Sequence, residues 1–347
     1  MFTGPASVES QAAMDSIRPS LTSSRIVYLI VFVRDLAESR AFYNQVLGLP
    51  IIEEDGDSVK LDTGQVMLCL KRASDYGIML SDQRDDSSDT VFLVDDIQSM
   101  RAALEKRGVV FARSRTYEIG AVVDFYDPNG HRLMLFQPSQ KSMMSSSADK
   151  VRAIWKASGR GGSEIIGPPA EPVVAKMKDL EKWGLKGKPL IYFFVFIKDM
   201  EKAIDFYETT LGLRAIERTH CCNNTCPGDE KGIVKYDVGG VILSVHHMHG
   251  HHAVLDDHGN PYGAQEFEPE YAKGVAPVFH VSNLDRTSDE LSKYGLEFPD
   301  GIVRSSDGSL ARLDAPSGHL YYLYEPSQEA LTSVEGVKLQ GILAADL

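Results

Sequence analysis

The chain repeats itself. From Tyr28 it reads YLIVFVRDLAESRAFYNQVLGL, and from Tyr192 it reads YFFVFIKDMEKAIDFYETTLGL. Asp35 matches Asp199, Phe42 and Tyr43 match Phe206 and Tyr207, and Leu47-Gly48-Leu49 matches Leu211-Gly212-Leu213, at a constant offset of 192 − 28 = 164 residues. Further on, Asp127-Pro128-Asn129-Gly130-His131 is echoed by Ala315-Pro316-Ser317-Gly318-His319 after Asp314, at an offset of 319 − 131 = 188. The second copy therefore carries 188 − 164 = 24 extra residues in its interior loops. Self-similarity at a fixed register means one supersecondary unit used again, so the fold must place like units side by side.

Each copy has a legible local structure. Val27 to Val33 and Phe193 to Ile197 are β-branched and aromatic runs of the kind that form buried strands. Asp35 and Asp199 stand where a helix N-cap belongs, and Gly48 where a left-handed terminator belongs. Strand signals follow at Pro50–Glu54, Ser58–Asp62 and Gln65–Lys71, broken by Gly56 and Gly64. Thr90 opens a second round of strand, aspartate cap and helix ending at Gly108, and three more strands end with the DPNGH turn and His131–Gln137. Each half is thus βαβββ twice, an α+β pattern of four units.

Bulk properties narrow the partners. At 347 residues, with 43% hydrophobic and 24% charged residues, the chain has room for two domains with real cores. A net charge of −13 argues against nucleic acid or an anionic membrane surface as the main partner. No apolar run approaches the ~18 residues that a membrane-crossing helix needs. Residues 1–24 are polar and lack a charged-then-apolar leader, which predicts a cytoplasmic protein with a loose N-terminal arm. Four cysteines, Cys69 alone and Cys221, Cys222 and Cys226 together, are too few for a disulfide scaffold. Residues 140–189 read as a linker with short helices at Ala148–Ala157 and Val173–Trp183, and residues 328–347 as a tail.

The order strand, D-L-x-x-S, F-Y, L-G-L, then D-P-x-G-H before a final strand, resembles the vicinal-oxygen-chelate superfamily of glyoxalases, bleomycin resistance proteins and extradiol dioxygenases. The resemblance covers residues 25–139 and 190–327 and implies two tandem glyoxalase-like domains whose paired modules curl into half-barrels. It also implies a divalent metal (zinc, manganese or iron) held by His, Glu or Gln on the first and last strands of each module, with open positions for two substrate oxygens. Carried over one at a time, those positions are Tyr28, Cys69, Asp89 and Met134 in the first half, and Tyr192, Ser244, Ala276 and Tyr322 in the second. Neither half supplies a His/His/Glu set.

Other residues compete for a functional reading. Tyr28 and Tyr192 occupy the same place in both copies, either as phenols that move a proton or as strand tyrosines that pack. The meander of the third unit predicts that His220, Cys221, Cys222 and Cys226 approach His247 and His249, a soft ligand set without zinc-finger spacing. Strand period puts Ser244 with His246, and Ala276 and Val278 with His280. If both faces line one cavity, His246 and His280 form a displaced metal site or a metal-free acid–base pair. His131 and His319 read as hydrogen-bonded turn residues. The acidic stretch Glu266–Glu270 falls in a long insertion, Met248–Lys273, that reads as a lid or interface loop.

These readings converge on an enzyme acting on a small oxygenated carbonyl or polyol substrate by proton transfer, of epimerase, isomerase or lyase type. Its second domain is the expected seat of activity: His246 and His280 hold or replace a metal, Tyr192 or Tyr322 carries the proton, and Tyr28, Phe194 and Tyr324 line the ligand. The first domain reads as a degenerate partner. Two alternatives remain: a metal-free protein that binds or sequesters a small molecule, and a ring-cleaving dioxygenase with an atypical iron site. A homodimer is compatible with all three.

Overall fold

The computed structural model describes residues 21, 23–80, 84–160, 184–219, 232–247, 254–255, 257–258, 261–262 and 273–347. Four βαβββ modules follow one another. The first has β1 (Ile26–Val33), α1 (Leu36–Arg40, continued by a π turn Ala41–Val46), β2 (Ile51–Glu54), β3 (Ser58–Asp62) and β4 (Met67–Arg72). The second has β5 (Asp85–Leu93), α2 (Ile97–Lys106), β6 (Phe111–Tyr117), β7 (Gly120–Tyr126) and β8 (His131–Pro138), and α3 (Ala148–Trp155) follows it. The third has β9 (Leu190–Ile197), α4 (Met200–Ile204, continued by a π turn Asp205–Thr210), β10 (Ala215–Thr219), β11 (Ile233–Asp237) and β12 (Ile242–His247). A two-residue ribbon, β13 (Val254–Leu255) with β14 (Pro261–Tyr262), precedes the fourth. That module has β15 (Val275–His280), α5 (Leu284–Ser292), β16 (Ile302–Ser305), β17 (Gly308–Asp314) and β18 (Leu320–Pro326), and α6 (Val334–Ala344) follows it.

The caps fall where the sequence places them. Asp35 and Asp199 accept from the amides of Glu38 and Lys202, and Asp96 and Asn283 do the same at α2 and α5. Each such cap is worth about 1 kcal/mol. Gly48 and Gly108 end their helices at φ of 79° and 91°, a conformation that costs a side chain but not glycine.

The modules do not pair within each half. One sheet runs β16-β17-β18-β15-β1-β4-β3-β2, joining the first module to the fourth. The other runs β10-β11-β12-β9-β5-β8-β7-β6, joining the third to the second. The seams are antiparallel, with Tyr28 opposite Val278 across β1 and β15, and Val91 opposite Tyr192 across β5 and β9. Neighbours in sequence usually neighbour in space, which is why each half was expected to close on itself. The strand pattern identifies four equivalent units but leaves open which inner edges meet.

One face of each sheet shares a single core. Leu29 and Val31 of β1, Phe92 and Val94, Phe193 and Val195, and Phe279 belong to the same buried cluster, together with Leu104, Phe206 and Leu284 from three of the helices. The opposite face of each sheet, here the cavity face, has its own small cluster and its own covering helix. Val151, Ile154 and Trp155 of α3 lie on Val91, Met134, Tyr192 and Ile242. Leu339 and Ile342 of α6 lie on Tyr28, Ile30, Met67 and Val278. These helices belong to the repeat. Ser139 N–H donates to Ile119 O at 2.9 Å and Ser327 N–H to Asp307 O at 3.1 Å, both pairs displaced by 327 − 139 = 307 − 119 = 188. The repeating unit therefore runs past residues 139 and 327, into α3 and α6. The expected helix near Ala148 is α3, whereas Val173–Trp183 lies outside the described residues.

Candidate functional site

Register assembles a polar row on the cavity face of the second sheet. Glu217 of β10 stands opposite Lys235 of β11, Lys235 opposite Ser244 of β12, Ser244 opposite Phe194 of β9, Phe194 opposite Asp89 of β5, and Asp89 opposite Arg132 of β8. Side chains at paired positions share a face, so backbone pairing alone sets six functional groups in line. Lys235 Nζ donates to Glu217 Oε1 at 2.8 Å, and the Arg132 guanidinium donates to Asp89. A step away, Arg113 Nε donates to Asp124 Oδ2 at 3.2 Å. Asp89 and Arg132 are 1% and 4% exposed, so each charge depends on the other for its tolerance inside the protein.

His246 sits beside the middle of this row, two residues beyond Ser244 on β12. Its ring lies 4.4 Å from that of Phe194 and 5.4 Å from that of Phe196, and Nε2 is 2.9 Å from Ser244 Oγ. Burial drives its pKa down to about 3, with the Lys235 and Arg132 charges pushing the same way. The imidazole is therefore neutral at ordinary pH. Tyr192, 5.5 Å from Phe194 between ring centroids, has a phenol held protonated by burial, and Lys235 Nζ lies 5.6 Å from its ring centre.

The first sheet's cavity face is built differently. Tyr28 and Tyr324 meet edge to face at 5.9 Å, and Tyr322 is buried opposite Val278. The Tyr28 hydroxyl and Lys60 Nζ both donate to the carboxylate of Glu335, which α6 brings in from the C-terminal end. Cys69 is a buried free thiol pushed up to about 11 by burial. His280 lies on β15, its pKa lowered by burial against an opposing pull from Glu325.

The expected site residues thus divide between two faces. Tyr192, Phe194 and His246 come together on the second sheet, while Tyr28, Tyr322, Tyr324 and His280 lie on the first. His246 and His280 do not converge, because cross-pairing of the modules puts β12 and β15 in different sheets. Of the histidine–cysteine cluster, His220, Cys221, Cys222, Cys226 and His249 lie outside the described residues. His247 is described, with Nε2 3.0 Å from Lys198 O. The acidic stretch Glu266–Glu270 lies outside them too.

The eight positions that a chelated metal would use now fall into two sets of four: Tyr28, Cys69, Ala276 and Tyr322 on the first sheet, and Asp89, Met134, Tyr192 and Ser244 on the second. These sets do not fit a divalent metal. The first offers no carboxylate or imidazole, and the second offers one carboxylate, already held by Arg132. Among the described residues no group of three or more His, Cys, Asp or Glu is placed to hold a metal ion.

Sequence reading missed Lys235, Glu217, Arg132 and Glu335. A signal for the first two was present: Lys60 matches Lys235 and Glu53 matches Glu217, alongside Tyr28 and Tyr192. His131 and His319 do hydrogen-bond near their turns, and they also bridge modules. His131 Nε2 is 2.7 Å from Phe32 O, and His319 Nε2 is 2.9 Å from Ser87 O.

Comparison with known proteins agrees with this architecture. The family model described as the Glyoxalase/Bleomycin resistance protein/Dioxygenase superfamily matches residues 25–135 and 190–322. Glutathione transferase FosA of Serratia marcescens is 28% identical over 130 residues, which is 36% of this chain and 89% of that protein. Glyoxalase I of Zea mays shares the fold at a TM-score of 0.53 and 14% identity, over 92% of this chain and 95% of its own. The chain belongs to the glyoxalase/bleomycin resistance protein/dioxygenase superfamily.

Proposed function

We propose that this chain is a small-molecule-binding member of the superfamily that takes a planar, oxygenated ligand on the cavity face of its second sheet, without a metal chelated at the family's positions. The observation that carries the reading is the half-buried pair Phe194 and His246, next to Tyr192 under α3, with Ser244 and the Arg132–Asp89 pair beside them. Clustered aromatic rings accept a flat ligand, and a neutral imidazole with a neighbouring hydroxyl supplies hydrogen bonds rather than charge. An imidazole titrating near 3 is a weak proton acceptor, and a buried phenol is a reluctant donor, so binding suits these groups better than proton abstraction does. Both sheets are completed within one chain, so a homodimer is not needed to build either face.

One observation favours the enzymatic reading, proton transfer at a carbonyl compound: the 2.9 Å contact between Ser244 and His246 would let the hydroxyl orient the ring as a base. A panel of flavone-, quinone- and catechol-type molecules separates the cases. Ligands that raise the melting temperature of the parent and of Tyr322→Phe, but not of Phe194→Ala or His246→Ala, support the site. Ligands whose effect survives in both of the latter variants would sink it. Deuterium entering a bound ligand from heavy water, and absent with His246→Ala, would move the enzyme reading to the front.

A further inference from the structure

In the first half of the chain a polar plug joins α1 to the turn before β8. The side chain of Asn129 accepts at Oδ1 from the Arg34 amide at 2.8 Å and donates from Nδ2 to Ser39 Oγ at 3.0 Å. Beside it, the Asp127 carboxylate accepts from the Tyr43 hydroxyl at 3.1 Å and from Asn129 Nδ2 at 3.3 Å. Asn129 and Ser39 are 4% and 0% exposed, so the plug is closed off from solvent. The offset of 164 carries Arg34, Ser39 and Tyr43 to Lys198, Ala203 and Tyr207, and the offset of 188 carries Asp127 and Asn129 to Ala315 and Ser317. The second half therefore keeps the tyrosine and loses the carboxylate, the carboxamide and the serine.

A pocket stands where the plug would be. It has a volume of about 130 Å³, between α4 and the turn before β18, and Lys198, Asp199, Lys202, Phe206, Tyr207 and Ser317 line it. At about 30 Å³ for each water, that is room for a ligand of a few heavy atoms. Ser317 does not bridge the gap, because its Oγ is 2.8 Å from His319 Nδ1 in its own turn. The Tyr207 hydroxyl meets that of Tyr321 at 2.6 Å, both buried. Two hydroxyls sharing one hydrogen bond hold two protons, so the pair retains a donor for a further acceptor. The Lys198 amide, in the place of the Arg34 amide, is a second donor. Ala203 and Ala315 supply neither acceptor that the Asn129 amino group uses, so a carboxamide here would bury an unpaired N–H and a carboxylate would not. The exposed ammonium groups of Lys198 and Lys202 favour an anion at the mouth. The Asp199 carboxylate is already engaged by the amide and Nζ of Lys202, at 3.1 and 3.2 Å.

We infer that the pocket between α4 and the turn before β18 binds a short-chain monocarboxylate, which takes the place that the Asn129 side chain fills in the first half. One carboxylate oxygen accepts from the Lys198 amide and the other faces the Tyr207 hydroxyl, while the alkyl group lies against Ala203 and Phe206. The site lies at the junction of the third and fourth modules, away from both cavity faces, so it stands apart from the ligand proposed on the second sheet.

The probe is sodium propionate, with neutral propionamide as control, titrated at constant ionic strength and followed by saturation-transfer NMR. The full chain is compared with Ala203→Ser/Ser317→Asn, which writes the plug of the first half into the second. The parent should bind propionate saturably, and the plugged chain at least about tenfold more weakly. Propionamide should bind neither. Lys198→Met/Lys202→Met changes only exposed positions and should weaken propionate severalfold, which keeps the test decisive if the plugged chain misfolds. His246→Ala should bind propionate as the parent does. Absence of saturable binding by the parent, undiminished binding by the plugged or the lysine variant, or equal binding of propionamide would overturn the inference. Loss of binding with His246→Ala would place the propionate on the second sheet and overturn it as well.

Discussion

His131 of the second module reaches across to the first, its Nε2 2.7 Å from the main-chain oxygen of Phe32 and its Nδ1 3.3 Å from Asp85. Both ring nitrogens face acceptors, so the protonated imidazole satisfies both contacts and the neutral one only one of them. Burial works against that charge, but Asp127, Asp85 and the Phe32 carbonyl outweigh it and raise the pKa to about 9. The residue that follows the turn glycine is a charged rivet between modules.

Stability should therefore depend on alkaline pH. His131 has its folded pKa above the unfolded value near 6.5, so its contribution is complete below about pH 6.5 and is lost as pH rises through about 9. The loss is of order 3 kcal/mol. Urea midpoints of the parent should fall across that window, and those of His131→Gln should fall less. Parallel profiles for the two would show that His131 is neutral in the folded state.

Gly274 has no room for a side chain. A Cβ there would lie 2.4 Å from His131 Cε1 and 2.6 Å from Asp85 Oδ2. Gly274→Ala should lower stability by about 1–3 kcal/mol, and much less when His131→Ala is already present. Additive losses measured by denaturant titration would mean that the clash is relieved elsewhere.

Arg132 and Asp89 should behave as a unit. Arg132→Met alone removes the guanidinium paired with a buried carboxylate and should cost about 3–5 kcal/mol. Adding Asp89→Asn should recover a substantial part of that loss. A double variant no more stable than Arg132→Met would show that Asp89 is sustained by other neighbours.

His246 should stay neutral through the physiological range. Its folded pKa of about 3 lies below the unfolded value, so its contribution to stability is present above about pH 6.5 and is lost as pH falls toward about 3. Proton NMR of the ring should show flat shifts from neutral pH to about pH 4. A ring titrating near 6.5 would remove the reason for preferring binding over proton transfer.

The sequence made the modules, caps and turns readable because each depends on residues close together: Asp35 and Asp199 before their helices, Gly48 after one, the DPNGH turn before β8. The partner of each module was not readable, since β1, β5, β9 and β15 all offer similar apolar inner edges. That gap decided the fate of the paired-histidine reading. His246 lies on β12 and His280 on β15, and those strands belong to different sheets. Lys235, Glu217 and Arg132 are single charges on short strands, and nothing local to each says which face of its sheet it takes. Tracing the duplication through Lys60 and Lys235 would have exposed two of them.

The most direct test of metal-independent binding on the second sheet is calorimetric titration of zinc, manganese and ferrous ions into the Cys221→Ser/Cys222→Ser/Cys226→Ser chain, with Asp89→Asn as control. This background removes the thiols of the one soft-ligand cluster read from the sequence. The expected result is no stoichiometric binding and no difference on replacing Asp89. One equivalent of metal bound by that chain, and lost with Asp89→Asn, would contradict the account and restore a chelated ion to the second sheet.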